Sequence, residues 1–429
     1  MEIIVKDKSS FQKELEVTLS PQDMEPYLEH AAQALGAGLS LKGFRPGKAP
    51  IHIVKEVVGE GKIWEEAAEQ AVEKSFFQAC KDNNIEIIAS PRVEIRKLAP
   101  GNDVVYSASV EVVPEIHLGD WRAAAKQIRE KEHRDVRIEE KEIADTLGWL
   151  ADSRATYVAQ NRPANMGDYV EVSYEGRIGG VVQEGLQMHR DSFILGKGTV
   201  DENFEKNMEG MQRGEQKEFS VVLSPEHPLA HVRGKEVQFR ATLENVQERN
   251  VPAVDDAFAQ SLGKFQTLAE LQDNVREGMV AEKQQKEKER VLLLILKEIA
   301  QKSHIEVPPS LLGAELDKMK EEFGANIEGM GLDFSTYLGH IKKTEEEVRS
   351  GWQEKAKERV EAGLVLRALG KEEKIEPDEA EVTKRASAYI ARYKNAKEAE
   401  LHEGAPDELR ARVKAMLRNE KVMELLLAN

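Results

Sequence analysis

Leu15, Val17 and Leu19 alternate with Glu14, Glu16 and Thr18, a period of two that predicts a strand with one buried face. Ser20-Pro21 follows, an N-cap residue and then the residue best suited to a first helical turn. Met24, Tyr27, Leu28, Ala31 and Leu35 recur at three- and four-residue spacing, which predicts a helix ending at Gly36 and Gly38. A glycine- and proline-rich loop comes next, Gly43-Phe44-Arg45-Pro46-Gly47-Lys48-Ala49-Pro50. Helical spacing returns over 51–58 and 63–80, strands are expected at 86–89 and 104–113, and Pro114 closes the module.

A charge-rich amphipathic helix is expected from Val136 to Tyr157, with Ile138, Ile143, Leu147 and Leu150 on one face. Asn161 to Asp168 reads as a linker, because proline, glycine and asparagine interrupt any period. Short alternating segments then follow at 169–174, 193–195, 219–223 and 237–246, separated by glycine turns. They predict a small antiparallel β domain with one short helix near 203–208. Beyond Val251 the chain turns to long charged helices, with an apolar stripe over 291–299 and further helices starting at Ser310, Thr344, Pro377 and Pro406. No repeat of solenoid length is visible. The pattern is that of a multidomain α+β protein ending in an all-α body.

Composition narrows the chemistry. At 429 residues about three domains of ~150 residues are expected. A net charge of −17 disfavours broad adhesion to phosphate backbones or anionic lipid, so any nucleic-acid contact must be local. One cysteine, Cys80, gives neither an internal disulfide nor a cysteine zinc site and points to a reducing compartment. Its place after Phe76 and Phe77 suits a buried inert thiol. The longest aliphatic run, Val291 to Leu296, falls far below the ~20 residues that cross a bilayer. The first ten residues carry no leader pattern. A cytoplasmic protein without a membrane partner is the expectation.

The stretch His30 to Lys55 holds Lys42, Arg45, Lys48 and Lys55 and no acidic residue. Its loop can present Phe44 as an aromatic anchor beside cations, although on the residues alone a solvated basic loop is favoured. A phosphate-cradling loop is excluded, since three residues rather than four separate Gly43 from Gly47 and Ala49 follows Lys48. His227 and His231 lie four apart without a third ligand and read as surface histidines rather than a metal site. Neither a nucleophile elbow nor a dinucleotide fingerprint is present, and no cofactor is expected.

Gly43-Phe44-Arg45 followed by Gly47 and Pro50 resembles the signature of the trigger factor family, ribosome-associated bacterial chaperones. The resemblance extends over the whole chain, through an FKBP-like insert beginning Gly167-Asp168 and a helical tail containing Val307-Pro308 and Leu311. It implies a ribosome-binding module over 1–115 and an FKBP-like peptidyl-prolyl isomerase domain over 150–248. The connecting segment 116–149, joined to 249–429, becomes a helical body that holds nascent and unfolded chains without ATP. Docking is implied at the exit tunnel of the large ribosomal subunit, on a tunnel-rim protein and ribosomal RNA, through Gly43, Phe44 and Arg45. Pro46 stands where the family commonly has lysine, and Lys48 supplies a neighbouring cation. Whether the free protein forms a homodimer stays open.

Rotation about a prolyl bond needs no nucleophile, only an apolar cavity that desolvates the amide. Tyr174, Phe193, Val200, Phe204 and Phe239 match the family's pocket in order and spacing, whereas without the family ordinary core packing would be the favoured reading. Gln183, Asp201 and His227 stand where the pattern has phenylalanine, isoleucine and tyrosine. Against the family pattern the chain carries a two-residue insertion across Leu186 to Ser192. Asp201 would bring a carboxylate against the desolvation the reaction needs, so a weak or absent isomerase activity is expected. Met319 and Met330 suit reversible contacts with many sequences. The rival reading is a dedicated prolyl isomerase whose helical arms only recruit substrate.

Overall fold

Leu15, Val17 and Leu19 are buried on one face of strand β2 (Gln12–Leu19), as their alternation requires. In the computed structural model, which describes residues 1–37 and 50–428, β2 pairs antiparallel with β1 (Glu2–Asp7) and β4 (Val104–Glu111). Strand β3 (Arg92–Lys97) completes a sheet of order β1-β2-β4-β3. Helices α1 (Pro21–Ala37), α2 (Ile51–Val58) and α3 (Glu60–Asp82) pack on it through Met24, Ala31, Val54, Ala67, Ala71 and Phe76. Ser20 and Asp23 cap α1 reciprocally: Ser20 Oγ accepts from the Asp23 N–H at 3.3 Å and the Asp23 carboxylate from the Ser20 N–H at 2.9 Å. Tyr106 bonds Ser75 Oγ at 2.8 Å inside this core, and burial pushes its hydroxyl up to about 12. Burial likewise raises the thiol of Cys80.

The expected strand at 86–89 is a single bridge from Ile87 to Val112. The unanticipated strands, β1 and β3, are the two edges of the sheet. All six residues of β3 are exposed, so its short apolar alternation, Val93 and Ile95, lies outside the core; the charged residues between them suit an edge that resists unwanted pairing. Helix α4 (Trp121–Glu132) was also unmarked and starts at Asp120, whose side chain accepts from the Ala123 N–H.

Residues Met1–Arg134 with Lys286–Asn429 form one compact unit and Asp135–Gln285 a second. In the second unit α5 (Glu140–Ser153) buries Ile143, Leu147 and Ala151 against Phe258 and Ala259 of a later helix. It stops at Ser153, short of the expected Tyr157, which lies in β5 (Thr156–Ala159). A five-stranded antiparallel sheet follows, adding β6 (Tyr169–Ile178), β7 (Val181–Ile194), β8 (Gln216–Val222) and β9 (Glu236–Asn250). Its order is β5-β9-β6-β7, with β8 also on β9, and α6 (Glu202–Met208) packs on one face. The presumed linker at 161–168 belongs to this domain. Asp168 is buried there and takes both terminal nitrogens of Arg162, at 2.6 and 2.9 Å, and the Asn165 N–H at 2.8 Å. Burial pushes its carboxyl up, but the Arg162 guanidinium and that N–H outweigh burial and hold it below the ordinary value. Helix α7 (Asp256–Leu262) and the first half of α8 (Leu268–Ser303) complete the unit.

The remaining helices belong to the first unit. They are α9 (Pro309–Gly329), α10 (Phe334–Ile341), α11 (Glu345–Gly351) and α12 (Gln353–Glu372), then α13 (Glu379–Ile390), α14 (Ala396–Glu403) and α15 (Pro406–Ala428). Trp121 and Ala125 of α4, Ile295 and Ile299 of α8, Leu369 of α12 and Leu426 of α15 share the central core. Gly370 lets α12 approach α15, since a Cβ there would stand 2.7 Å from Arg418 Cδ. Two smaller cores form around Leu316, Met319 and Ala356, and around Val382, Leu409 and Val413. Within the same unit the N-terminal module meets the helices through Ser10 and Glu306 at 2.5 Å and Arg367 and Glu86 at 2.6 Å.

Candidate functional site

The inward alternation of β6 brings in Val170, Val172 and Tyr174, and that of β9 brings in Val237, Phe239 and Ala241. Gly176 pairs with Phe239 across these strands, and a Cβ at 176 would come within 2.8 Å of the Phe239 ring. Helix α6 contributes Phe204, whose ring centroid lies 5.1 Å from Tyr174, 4.9 Å from Phe239 and 5.5 Å from Phe219 of β8. Phe193 and Val200 join the same core. The five matched residues are thus brought together, and Tyr174, Phe193, Phe204 and Phe239 are all buried.

The three departures sit differently. Register between β6 and β7 jumps from the Glu175–Gln187 pair to the Arg177–Val182 pair, which sets residues 183–186 opposite Gly176 alone. Leu186 is the buried side chain of this bulge. Gln183 is partly buried and donates its side-chain amide to the Val181 carbonyl at 2.9 Å. A second bulge follows, where Val172 pairs with Asp191 and Tyr174 with Met188, setting residues 189 and 190 opposite Ser173 alone. There Arg190 takes the left-handed region, at φ 54°, and donates its N–H to Ser173 Oγ at 3.1 Å. Asp191 then accepts the Tyr174 hydroxyl at 3.1 Å. Burial first, and then the Asp191 charge, push that hydroxyl well above its ordinary value.

Asp201 is only 6% exposed and serves as the N-cap of α6. One carboxylate oxygen accepts from the N–H groups of Asn203 and Phe204, at 2.8 and 3.4 Å, and the other from the Ser224 N–H at 3.0 Å. His227 is 7% exposed rather than a surface residue, and its Nδ1 accepts from the Leu229 N–H at 3.2 Å. That bond leaves Nδ1 unprotonated in the neutral ring. His231 is exposed, and no cluster of metal-ligating groups occurs among the described residues. Sequence reading missed Glu205, which is fully buried. Its carboxylate accepts from the N–H groups of Gly196, Gly198 and Val200 at 2.7, 2.9 and 3.2 Å. The available signal was an acid beside Phe204 on the packed face of α6, just after a glycine-rich turn.

A second ring cluster lies among the helices of the first unit. Phe323 of α9 stands 6.0 Å from Phe334 and 5.5 Å from Tyr337, both of α10, and 5.3 Å from Trp352, the N-cap of α12. None of these rings is fully buried, and neither α10 nor α11 contributes a buried residue. Met330 is 77% exposed, and Leu332, just before α10, and Ile341, the last residue of α10, are exposed as well. Met319, by contrast, is buried between α9 and α12, which removes it from the expected contact surface. Asp333 caps α10 by accepting from the N–H groups of Ser335 and Thr336 at 2.9 and 3.0 Å. The Ser335 and Thr336 hydroxyls hold its carboxyl well below the ordinary value.

Gly43, Phe44, Arg45 and Lys48 lie outside the described residues. Among the described residues no helix is long and apolar enough to cross a membrane. Family models of the bacterial trigger factor protein match residues 1–148 and, for its C-terminus, 267–428. A model of FKBP-type peptidyl-prolyl cis-trans isomerases matches residues 160–244. Among curated relatives, trigger factor of Caldicellulosiruptor bescii is 27% identical over 384 residues, covering 90% of this chain and 86% of that one. Trigger factor of Clostridium kluyveri is 26% identical over 413 residues, covering 96% and 95%. A solved structure of a trigger factor chaperone, reported for promiscuous substrate recognition in folding and assembly activities, aligns over 100% of both chains. Its TM-score is 0.51 at 21% identity, a likeness of fold. With all three parts of the chain matched in this order, the protein belongs to the trigger factor family.

Proposed function

We propose that this chain is an ATP-independent, ribosome-associated chaperone that holds nascent and unfolded polypeptides on its helical body. The observation that carries the reading is the apolar exposure along 330–341, where Met330 and Leu332 precede α10, Ile341 ends it, and Phe334 and Tyr337 within it are only partly buried. Apolar side chains left exposed together mark an interaction surface, and methionine adapts to many sequences at small cost. Charged neighbours such as Lys342, Lys343 and Glu345 to Glu347 keep such a surface soluble while unoccupied.

Residues 1–115 form the docking module in this proposal, with Gly43, Phe44, Arg45 and Lys48 as its contacts at the ribosomal exit tunnel. The double substitution Phe44→Ala with Arg45→Ala is expected to abolish co-sedimentation with ribosomes and leave the circular dichroism spectrum unchanged, since one aromatic anchor in a small contact often contributes ~2 kcal/mol or more. Undiminished co-sedimentation would overturn the docking assignment.

The FKBP-like domain supplies prolyl isomerisation at a low rate in this reading. Its matched rings Tyr174, Phe204 and Phe239 are buried against one another, and the low rate rests on Gln183, Asp201 and His227 standing where the family has apolar walls. A protease-coupled assay on a Xaa-Pro peptide checks it, and a rate typical of a dedicated isomerase would favour the rival in which the helices only recruit substrate.

A further inference from the structure

Segment 223–235 is a closed loop. Leu223 and Lys235 pair at its base, where the Leu223 N–H donates to the Lys235 carbonyl at 3.1 Å and the Gly234 N–H to the Leu223 carbonyl at 3.2 Å. Its first half is a run of local bonds that begins at Ser224. The Glu226 N–H donates to Ser224 Oγ at 3.1 Å, the His227 N–H to the Ser224 carbonyl at 3.0 Å, and the Leu229 N–H to His227 Nδ1 at 3.2 Å. At the far end Leu229 packs on the aromatic core, with its Cδ1 2.8 Å from where a Cβ on Gly185 would stand. The N–H of Ser224 itself goes to Asp201.

We propose that Asp201 is a positioning residue: its carboxylate pins this loop to α6 and so holds Leu229, which is bonded to His227, against the aromatic cluster. Three features carry it. Asp201 is buried with no cationic partner among the described residues, and its hydrogen bonds run to backbone N–H groups of two separate segments. Glu205, one turn later on α6, does the same for the Gly196–Val200 loop, so two acids on one helix tie down the loops on either side of it. Helix capping alone uses one oxygen, and the second is spent on the loop. An isoleucine at 201 supplies neither.

The consequence for prolyl peptides rests on the isomerase reading, and it opposes the expectation that the carboxylate is an intrusion. If Asp201 merely intrudes, Asp201→Ile raises turnover; if it positions the loop, the same substitution lowers kcat/KM without raising turnover. The full chain is compared with Asp201→Ile, Asp201→Asn and Asp201→Ser, the serine variant keeping a helix cap without a second oxygen. Amide exchange of Ser224 is read by NMR on serine-selectively 15N-labelled protein, alongside kcat and KM on a Xaa-Pro peptide. Expected for the asparagine and serine variants are Ser224 exchange faster by about tenfold and KM higher by about fivefold with kcat within about twofold, the size of one lost hydrogen bond to a charged group. Unchanged Ser224 exchange in all three variants, an unchanged KM despite faster exchange, or a gain of turnover in Asp201→Ile overturns the proposal. A natural chain with no turnover sinks the isomerase reading alone, and Ser224 exchange then decides whether Asp201 pins the loop.

Discussion

Two ring clusters in this protein have nearly the same internal geometry and opposite surroundings. In the β domain Phe204 contacts Tyr174, Phe219 and Phe239 at centroid distances of 4.9 to 5.5 Å. Among the helices Phe323 contacts Phe334, Tyr337 and Trp352 at 5.3 to 6.0 Å. The first group is roofed by β6, β9 and α6 and shares its core with Val172, Leu186 and Leu243. The second spans α9, α10 and the start of α12, and its rings are only partly buried, with α10 contributing no buried residue. Ring contacts therefore do not distinguish a core from a binding surface; the cover does. The residues that resemble an enzyme pocket are packed as a core, and the rings that no chemistry motif marked are the ones left open.

The sharpest break between the two clusters is energetic. Phe204→Ala is expected to destabilise the β domain by ~3–5 kcal/mol, whereas Phe334→Ala, at a half-covered site, should cost no more than ~1 kcal/mol. Urea unfolding of the full chain followed by tyrosine and tryptophan fluorescence measures both, and equal losses would erase the distinction.

Glu205 is next in size. Glu205→Gln leaves at least one of three N–H groups without its acceptor and should cost about 1–3 kcal/mol, with faster amide exchange at Gly196, Gly198 or Val200. Exchange unchanged at all three would show that those N–H groups do not depend on the carboxylate.

How far the chain could be read in advance follows the same division between local and non-local causes. Local periodicity sufficed for β2, α1, α2 and α3, because each buries one face of a repeating pattern. It failed for β1, β3 and α4. The edge strand β3 has no buried residue to mark it, and α4 is a helix whose buried positions are mostly Trp121 and alanines. In the β domain the five matched positions were legible through the family resemblance. The roles of Leu186, Asp191 and Leu229 were not, because each depends on a bulge or a loop that brings together residues whose spacing along the chain carries no such signal. Asp201 was legible as a carboxylate at a pocket position but not as a cap that also binds the Ser224 N–H, and Glu205 went unread because its N–H partners lie on a loop that precedes the helix.

Two smaller effects sharpen the contrast from the electrostatic side. Asp333 caps the helix that carries Phe334 and Tyr337, and its carboxyl lies below the ordinary value of 3.8. A folded-state value below the unfolded one gives stabilisation that is present above pH 3.8 and fades as pH falls further. Asp333→Ala should therefore fray α10 at neutral pH, seen as faster exchange of Ser335 and Thr336, and leave the β domain untouched. Glu287 is held at about 2 by its hydrogen bonds with Arg290, against an ordinary 4.5. Its contribution is complete above pH 4.5 and is lost between there and about pH 2. Carboxyl titration by NMR checks it, and a midpoint near 4.5 would remove the Arg290 pairing from solution.

The uncovered patch itself is tested by converting Met330, Leu332 and Ile341 together to serine in the full chain. All three are exposed, so the fold should be retained, as circular dichroism and the urea midpoint will show. The deciding measurement is the aggregation of a denatured test protein diluted into buffer with the natural chain or the triple variant, without ATP. Expected is protection by the natural chain that falls by about fivefold or more in the variant, a loss of ~1 kcal/mol from three apolar contacts. Protection by the folded triple variant equal to that of the natural chain would contradict the claim that clients bind there.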